Sequence, residues 1–305
     1  MEHQTANPRL LDLRDEHVIP TDAVNAVEAQ LHRRFATNRV NGEWFQFEAE
    51  DEFQMAVDEA KKLANQMSEL APIFDKAEQY SRATDNGAKV SADEYSLALG
   101  SHLVIARSQI KVCLEAEKTL KSLLGEALSR GDDIQEAAKE QTRTISPKFD
   151  QSAFRDDHPE LFKEFATTSE VISTRFLINT KFRGQTLDEA TQQTIDFSAD
   201  IRNIVEAAKT FVAEGQFSMT EDLIGQLTRQ RALADWEDSI SEAKLKVACG
   251  ENYGLEGLCT WKREQKLKED FDEVTFQEKY PDVFSDYLSD PVTKKFIRLN
   301  RMSTK

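Results

Sequence analysis

Residues 149–165 read FDQSAFRDDHPELFKEF, and residues 271–287 read FDEVTFQEKYPDVFSDY. Phe149, Asp150, Phe154, Pro159, Phe162 and Phe165 match Phe271, Asp272, Phe276, Pro281, Phe284 and Tyr287 at one constant offset. After a two-residue shift, TRFLIN from Thr174 matches KKFIRLN from Lys294. Self-similarity of this kind marks a duplicated structural unit. In each copy the aromatics fall on a short helical face, with Pro at a helix start. They are expected to clamp onto the end of their own helical hairpin. Base stacking is the sharper alternative for exposed aromatics, but DDHPELFKEF is net acidic and argues against it.

Working outward, each tail follows two helix-patterned segments. Phe53, Ala56, Ala60, Leu63, Met67 and Leu70 recur at steps of three and four, and Pro72 is expected to kink or end that helix. After the polar loop around Asn86 and Gly87, Ser91 with Glu94 reads as a capping box. Leu99, Leu103, Ala106, Ile110, Cys113, Glu117, Leu120 and Leu124 then form a near-heptad seam, with Glu117 expected at its edge. The second half repeats the arrangement. Leu187, Ala190, Thr194, Phe197, Ile201, Ile204, Ala208 and Phe211 make one stripe; Leu223, Leu227, Leu233, Trp236, Ile240 and Val247 make a looser one. The fold class expected is mainly α: a small N-terminal β-α-β remnant, then two repeats of long helical hairpin plus short aromatic tail. The domains expected are 1–47, 48–180 and 181–305.

Composition supports long exposed helices. Charged residues are 31% of the 305, while Gly (11) and Pro (7) are scarce, so tight turns are few. Asp and Glu number 55 against 39 Lys and Arg, a net charge of -16. Such a surface repels phosphates unless a local basic patch overcomes it, and suits solubility, a basic protein partner or a DNA-mimicking inhibitor. Cys113, Cys249 and Cys259 make no zinc-knuckle or disulfide spacing and fit a reducing cytosol. No long uninterrupted apolar run stands out, so no membrane span is expected. HExxH, P-loop, GxGxxG and GxSxG patterns are absent.

The first 47 residues have a different pattern. LLDLRDEHVIPT allows a short strand around His17 to Ile19, and Thr21 or Asp22 can cap a helix to about Ala36. After Gly42, EWFQF returns as a strand. EAQLHRRF followed by RVNGEWFQF resembles the C-terminal part of phage-type GIY-YIG endonucleases, through Glu28, Leu31, His32, Phe35, Arg39, Gly42, Glu43, Trp44 and Phe45. The resemblance covers roughly 12–47 and implies that Glu28 holds a divalent metal, Mg²⁺, with His32 one helical turn away as a second catalytic residue. Arg33, Arg34 and Arg39 would then hold a DNA backbone. The family's two tyrosines and its arginine precede this segment, and the first tyrosine here is Tyr80, so no complete catalytic set is expected from this sequence.

CTWKREQKLKEDFDEVTFQEKYPDVF, after a charged helix pair, is similar to C-terminal extensions on YqaJ-type phage recombination exonucleases, without their carboxylate-Lys core. The missing catalytic half, the duplicated helical unit and the acidity point to a cytoplasmic phage or prophage protein that works by protein interaction and needs no cofactor. Its partner class would be a host nucleic-acid-targeting defence complex, a Gabija-type system being one example, and long apolar seams favour a homo-oligomer. The alternatives are a Mg²⁺-dependent endonuclease completed by oligomerisation or by an upstream segment, and a DNA-recombination accessory that binds single-stranded DNA, which the Arg33 to Arg39 region favours and the acidity disfavours.

Overall fold

The computed structural model describes residues 24–35, 38–41, 44–47, 49–179 and 185–299. The expected strand near His17, the cap at Thr21 or Asp22, Gly42 and Glu43 lie outside them. The molecule is mainly α. α1 (Val24–Arg34) leads into a small antiparallel pair, β1 (Arg39–Asn41) and β2 (Trp44–Phe45). α2 (Glu50–Ser81) follows, then β3 (Lys89–Val90) and α3 (Glu94–Ser129). β4 (Ala138–Ile145), α4 (Gln151–Asp157), α5 (Pro159–Phe165) and β5 (Ala166–Ile178) form the first tail. α6 (Gln185–Ala213), α7 (Phe217–Cys249) and β6 (Gly254–Leu255) come next. β7 (Cys259–Phe271), α8 (Glu273–Lys279), α9 (Pro281–Asp286) and β8 (Val292–Leu299) form the second tail.

Several local expectations change. α2 runs through Pro72 to Ser81. A proline removes one backbone donor, and Leu70 and Phe74 on either side of it pack against Leu63, Met67 and Trp236, which holds the helix across the break. The cap of α3 is Asp93, whose carboxylate accepts from Ser96 N at 2.8 Å, and not Ser91. Ser91 is still outside the helix because β3 pairs with β6 just before it. Leu233 is 50% exposed and is no core residue. α7 packs against α1, α2, α3 and α6, so it buries several faces at once and no single stripe describes it.

The helices form one bundle. α6 and α7 are an antiparallel hairpin turned at Gly215, which takes φ 75. α3 lies against both, burying Cys113, Leu120, Leu124, Ile201, Ala208, Ile224 and Leu227 in one cluster. α2 rests on α1 and α7. By length and composition α3 is the one described helix that could cross a membrane. Here Leu103, Leu120 and Leu124 on it are wholly buried inside the protein.

The tails do not clamp their own hairpins. They pack on each other, and their strands are exchanged. β4 of the first tail pairs antiparallel with β8 of the second, from Ala138↔Leu299 to Ile145↔Val292. β5 of the first pairs antiparallel with β7 of the second, from Ala166↔Phe271 to Ile178↔Cys259. The β5/β7 ribbon extends through β6 to β3, giving the order β3-β6-β7-β5. Where the ribbons meet, Asp150 N donates to Tyr287 O at 2.9 Å and Asp272 N to Phe165 O at 3.0 Å. Phe149 stacks on Phe284 at 4.6 Å, and Phe271 on Phe162 at 4.7 Å. Phe154 meets its own counterpart Phe276 at 4.6 Å. Each contact has its mirror, so the hub has a local two-fold relation. The physical reason is burial: one short helix pair cannot cover its own phenylalanines, and two can.

One ribbon rises from each end of the bundle. Leu299 and Ala138 of β4/β8 sit in the cluster with Leu120 and Leu124 of α3. Trp261 of β7 sits with Leu99 and Leu103, toward the other end of α3, with Phe176 and Ile178 of β5 packed against it. Between these anchors and the hub most residues of both ribbons are exposed. Segments on either side of residue 180 thus pair with each other, β5 with β7 and β4 with β8.

Candidate functional site

α1 carries the residues that the sequence singles out. Val27 and Leu31 face the core formed by Leu63, Met67 and Trp236, which seats α1 on α2 and α7. Glu28 lies on the exposed side, and His32, four residues on, has its Nε2 4.0 Å from Glu28 Oε1. The His32 ring is tilted against Phe45 of β2 at 5.2 Å. Helical spacing and the small β pair thus bring Glu28 and His32 together as expected. Among the described residues no group of three or more His, Cys, Asp and Glu gathers to hold a metal ion.

Arg34 does not join them as a phosphate contact. Its guanidinium pairs with Glu59 of α2, and its side chain is 16% exposed. Burial lowers its pKa from the usual value, while Glu237 acts in the opposite sense. Arg34 therefore ties α1 to the bundle. Arg33 lies on α1 and Arg39 in β1 opposite Phe45; their side chains lie outside the described residues.

The buried charges that sequence reasoning missed lie between helices. Glu117, expected at an edge, is 5% exposed. Arg231 Nε is 3.1 Å from it across the α3–α7 interface, and Lys121 is 3.6 Å away. The neighbouring thiol of Cys113 is pushed up to about 11, first by burial and then by the Glu117 charge. One helical stretch along, Arg107 of α3 binds Asp238 at 2.8 Å and also Glu242, which Lys246 meets at 2.6 Å. Burial raises the Asp238 pKa against the pull of Arg107. These pairs set the axial register of α3 on α7.

Arg263 is the most enclosed cation among the described residues, at 2% exposed. It donates to Tyr80 O (2.6 Å), Gly250 O (2.9 Å) and Asn252 O (3.1 Å), and its guanidinium stacks 4.2 Å from the Trp261 ring. Those carbonyls lie at the ends of α2 and α7, where a cation is favoured by the helix dipoles. Asp85 Oδ2 accepts from Arg263 N at 2.6 Å and closes the loop over it. The alternation Cys259, Trp261, Arg263 along β7 was the available signal: all three are buried on one face. Beside it, Glu264 is held to about 2 by hydrogen bonds from Lys262 and Lys266. Both lysines lie at the surface and neutralise Glu264 locally.

Compared with family models, with curated proteins and with solved structures, the chain matches none. Function therefore rests on the residues themselves.

Proposed function

We propose that this chain is a phage- or prophage-type binding protein whose work is surface contact, and that its partner is a host nucleic-acid-targeting defence complex, a Gabija-type system being one example. The observation that carries the reading is the β5/β7 ribbon. β5 ends its sheet, so its outer edge offers unpaired backbone groups, the usual template for strand addition by a partner. Leu267 (72% exposed) and Leu177 (47%) sit on this ribbon as apolar contacts. The hub and the bundle hold the ribbon at its two ends, which keeps the ordering entropy of docking low. The net charge of -16 suits a basic partner surface.

The reading includes the host cytoplasm as its place of action and a homo-oligomer as its working form. It also includes the finer description of the fold, two copies of one helix-helix-tail unit after a GIY-YIG-like remnant. The sequence repeat and the mirrored hub contacts support the duplication.

The test is biological. Cells carrying a defence system that restricts a phage should regain plating when they express this chain. The same chain with Leu267→Lys and Leu177→Lys should fold and lose that effect. Unchanged restriction across a panel of nucleic-acid-targeting systems would refute the proposal. The approach of His32 to Glu28 favours one second reading, a Mg²⁺-dependent endonuclease. Nicking by purified protein that needs Mg²⁺ and vanishes in Glu28→Ala would establish it instead.

A further inference from the structure

The β4/β8 ribbon carries a charge pattern opposite to that of the whole chain. Residues alternate across a two-stranded ribbon. One face holds Ala138 opposite Leu299, Glu140 opposite Ile297, and Thr142 opposite Lys295. Its base is packed into the bundle core, and Lys295 meets Glu140 at 3.1 Å. The other face holds Lys139 opposite Arg298, Gln141 opposite Phe296, Arg143 opposite Lys294, and Ile145 opposite Val292. Four cations share this face with no carboxylate among them. Among the described residues none of the four has an ion pair; Arg298 reaches only Gln141, at 3.4 Å. Phe296, 42% exposed, stands midway between the two cation pairs.

The second ribbon shows what an ordinary solvated ribbon does with its lysines. Lys262 and Lys266 both bind Glu264, at 2.5 and 2.7 Å, and Lys268 binds Asp270 at 2.6 Å. There the positive charges are neutralised locally. On the outward face of β4/β8 the four cations have no such pairing among the described residues, although the chain carries an excess of acid.

We infer that the outward face of the β4/β8 ribbon binds a single strand of nucleic acid, with Lys139, Arg298, Arg143 and Lys294 on the phosphates and Phe296 stacked on a base. The two cation pairs stand four residues apart, roughly 13 Å along the ribbon, with the aromatic ring between them. A groove of cations with an aromatic platform is the sequence-tolerant way to hold unpaired bases. The single strand is favoured over a duplex because a duplex has no free base face for Phe296. A duplex also brings denser negative charge against an acidic molecule. An acidic protein segment would use the cations and leave the ring without a role.

The test uses the full chain and a fluorescein-labelled oligothymidylate of about 20 nucleotides, a length that exceeds the usual site on one such surface. Anisotropy should show binding that weakens steeply with salt. Arg143→Glu with Lys294→Glu should weaken it at least about tenfold and lower the salt slope by about two. Phe296→Ala should weaken it roughly tenfold at an unchanged slope. Lys266→Glu with Lys268→Glu, on the other ribbon, should leave it unchanged. All substitutions are at the surface, and matching circular dichroism melts confirm that the variants fold. The inference is overturned by the absence of binding at low salt, or by equal affinity for a duplex. It is also overturned if polyglutamate displaces the strand as well as unlabelled oligothymidylate does while Phe296→Ala binds like the parent.

Discussion

Glu117 occupies a core position of the α3 seam, and its carboxylate is almost wholly enclosed. A buried carboxylate is tolerated when a cation meets it, and Arg231 does so from α7. Arg231→Met should therefore cost about 3 kcal/mol, since it leaves a charge without its main partner in a poorly solvated place. Adding Glu117→Leu should restore much of that loss, because two apolar side chains fill the site without desolvating a charge. Urea unfolding of the two single variants and the double variant measures this. A double variant no more stable than Arg231→Met would show that the pair does not act as a unit. The hub makes a second residue-scale prediction. Hydrogen bonds from Thr275 lower the Asp272 pKa below its usual value. A carboxylate depressed in the folded state stabilises above its unfolded pKa, and that contribution is lost as pH falls through the folded one. The melting temperature should drop as pH falls from about 5 to about 3, and Asp272→Asn should flatten that drop while keeping a capping oxygen.

At the scale of elements, β6 and β7 meet across a tight turn, and Gly254 pairs with Thr260 at a distance that only glycine permits. A Cβ on Gly254 would lie 2.3 Å from Cys259 O and 2.9 Å from Thr260 Cα, both backbone atoms that cannot swing away. Gly254→Ala should separate β6 from β7 and expose Trp261 and Leu258, at a cost of roughly 2–4 kcal/mol. Near-ultraviolet circular dichroism of the indole band and a thermal melt report it. An alanine variant with parent stability would mean that the turn rearranges freely. Sequence reading succeeded best at this scale where an element makes its own signal. The seam from Leu99 to Leu124 forms one helix, and Pro159 and Pro281 each start a short helix, as their spacing implies. It failed at α2, where local chemistry said that Pro72 ends a helix and tertiary packing on both sides overrode it. It failed again on α7, because a helix with neighbours on several sides has no single apolar period.

The whole molecule consists of two separate cores, bundle and hub, joined by two ribbons. Two-stranded ribbons with both faces in water are marginal by themselves, so their order depends on being held at each end. Hydrogen exchange should be slowest in α3 and α7 and fastest, among the regular elements, in the middle of both ribbons. Phe276→Ala removes a fully buried ring from the hub and should cost about 3–5 kcal/mol there. It should speed exchange in β4/β8 and β5/β7 together while α3 keeps its protection. Faster exchange in one ribbon alone would contradict the shared hub.

The candidate site divides the same way. Glu28 and His32 were legible because one helical turn relates them and nothing distant is needed. The pairing of Arg34 with Glu59 was not legible, because Glu59 belongs to another helix. The cations of β8 could be read as a basic run, but their sharing of one face with Lys139 and Arg143 depends on a pairing across more than 150 residues.

By itself, the sequence determined the mainly helical content, the α3 seam, the two aromatic tails and the acidity. These follow from residue spacing and composition, which act over a few turns of chain. Only the tertiary structure decided that the tails exchange strands, that Glu117 and Arg263 are enclosed, and that one ribbon bears an unneutralised basic face. Those depend on which distant segments meet, and backbone pairing has nearly the same energy for many partners until burial of the phenylalanines at the hub selects one.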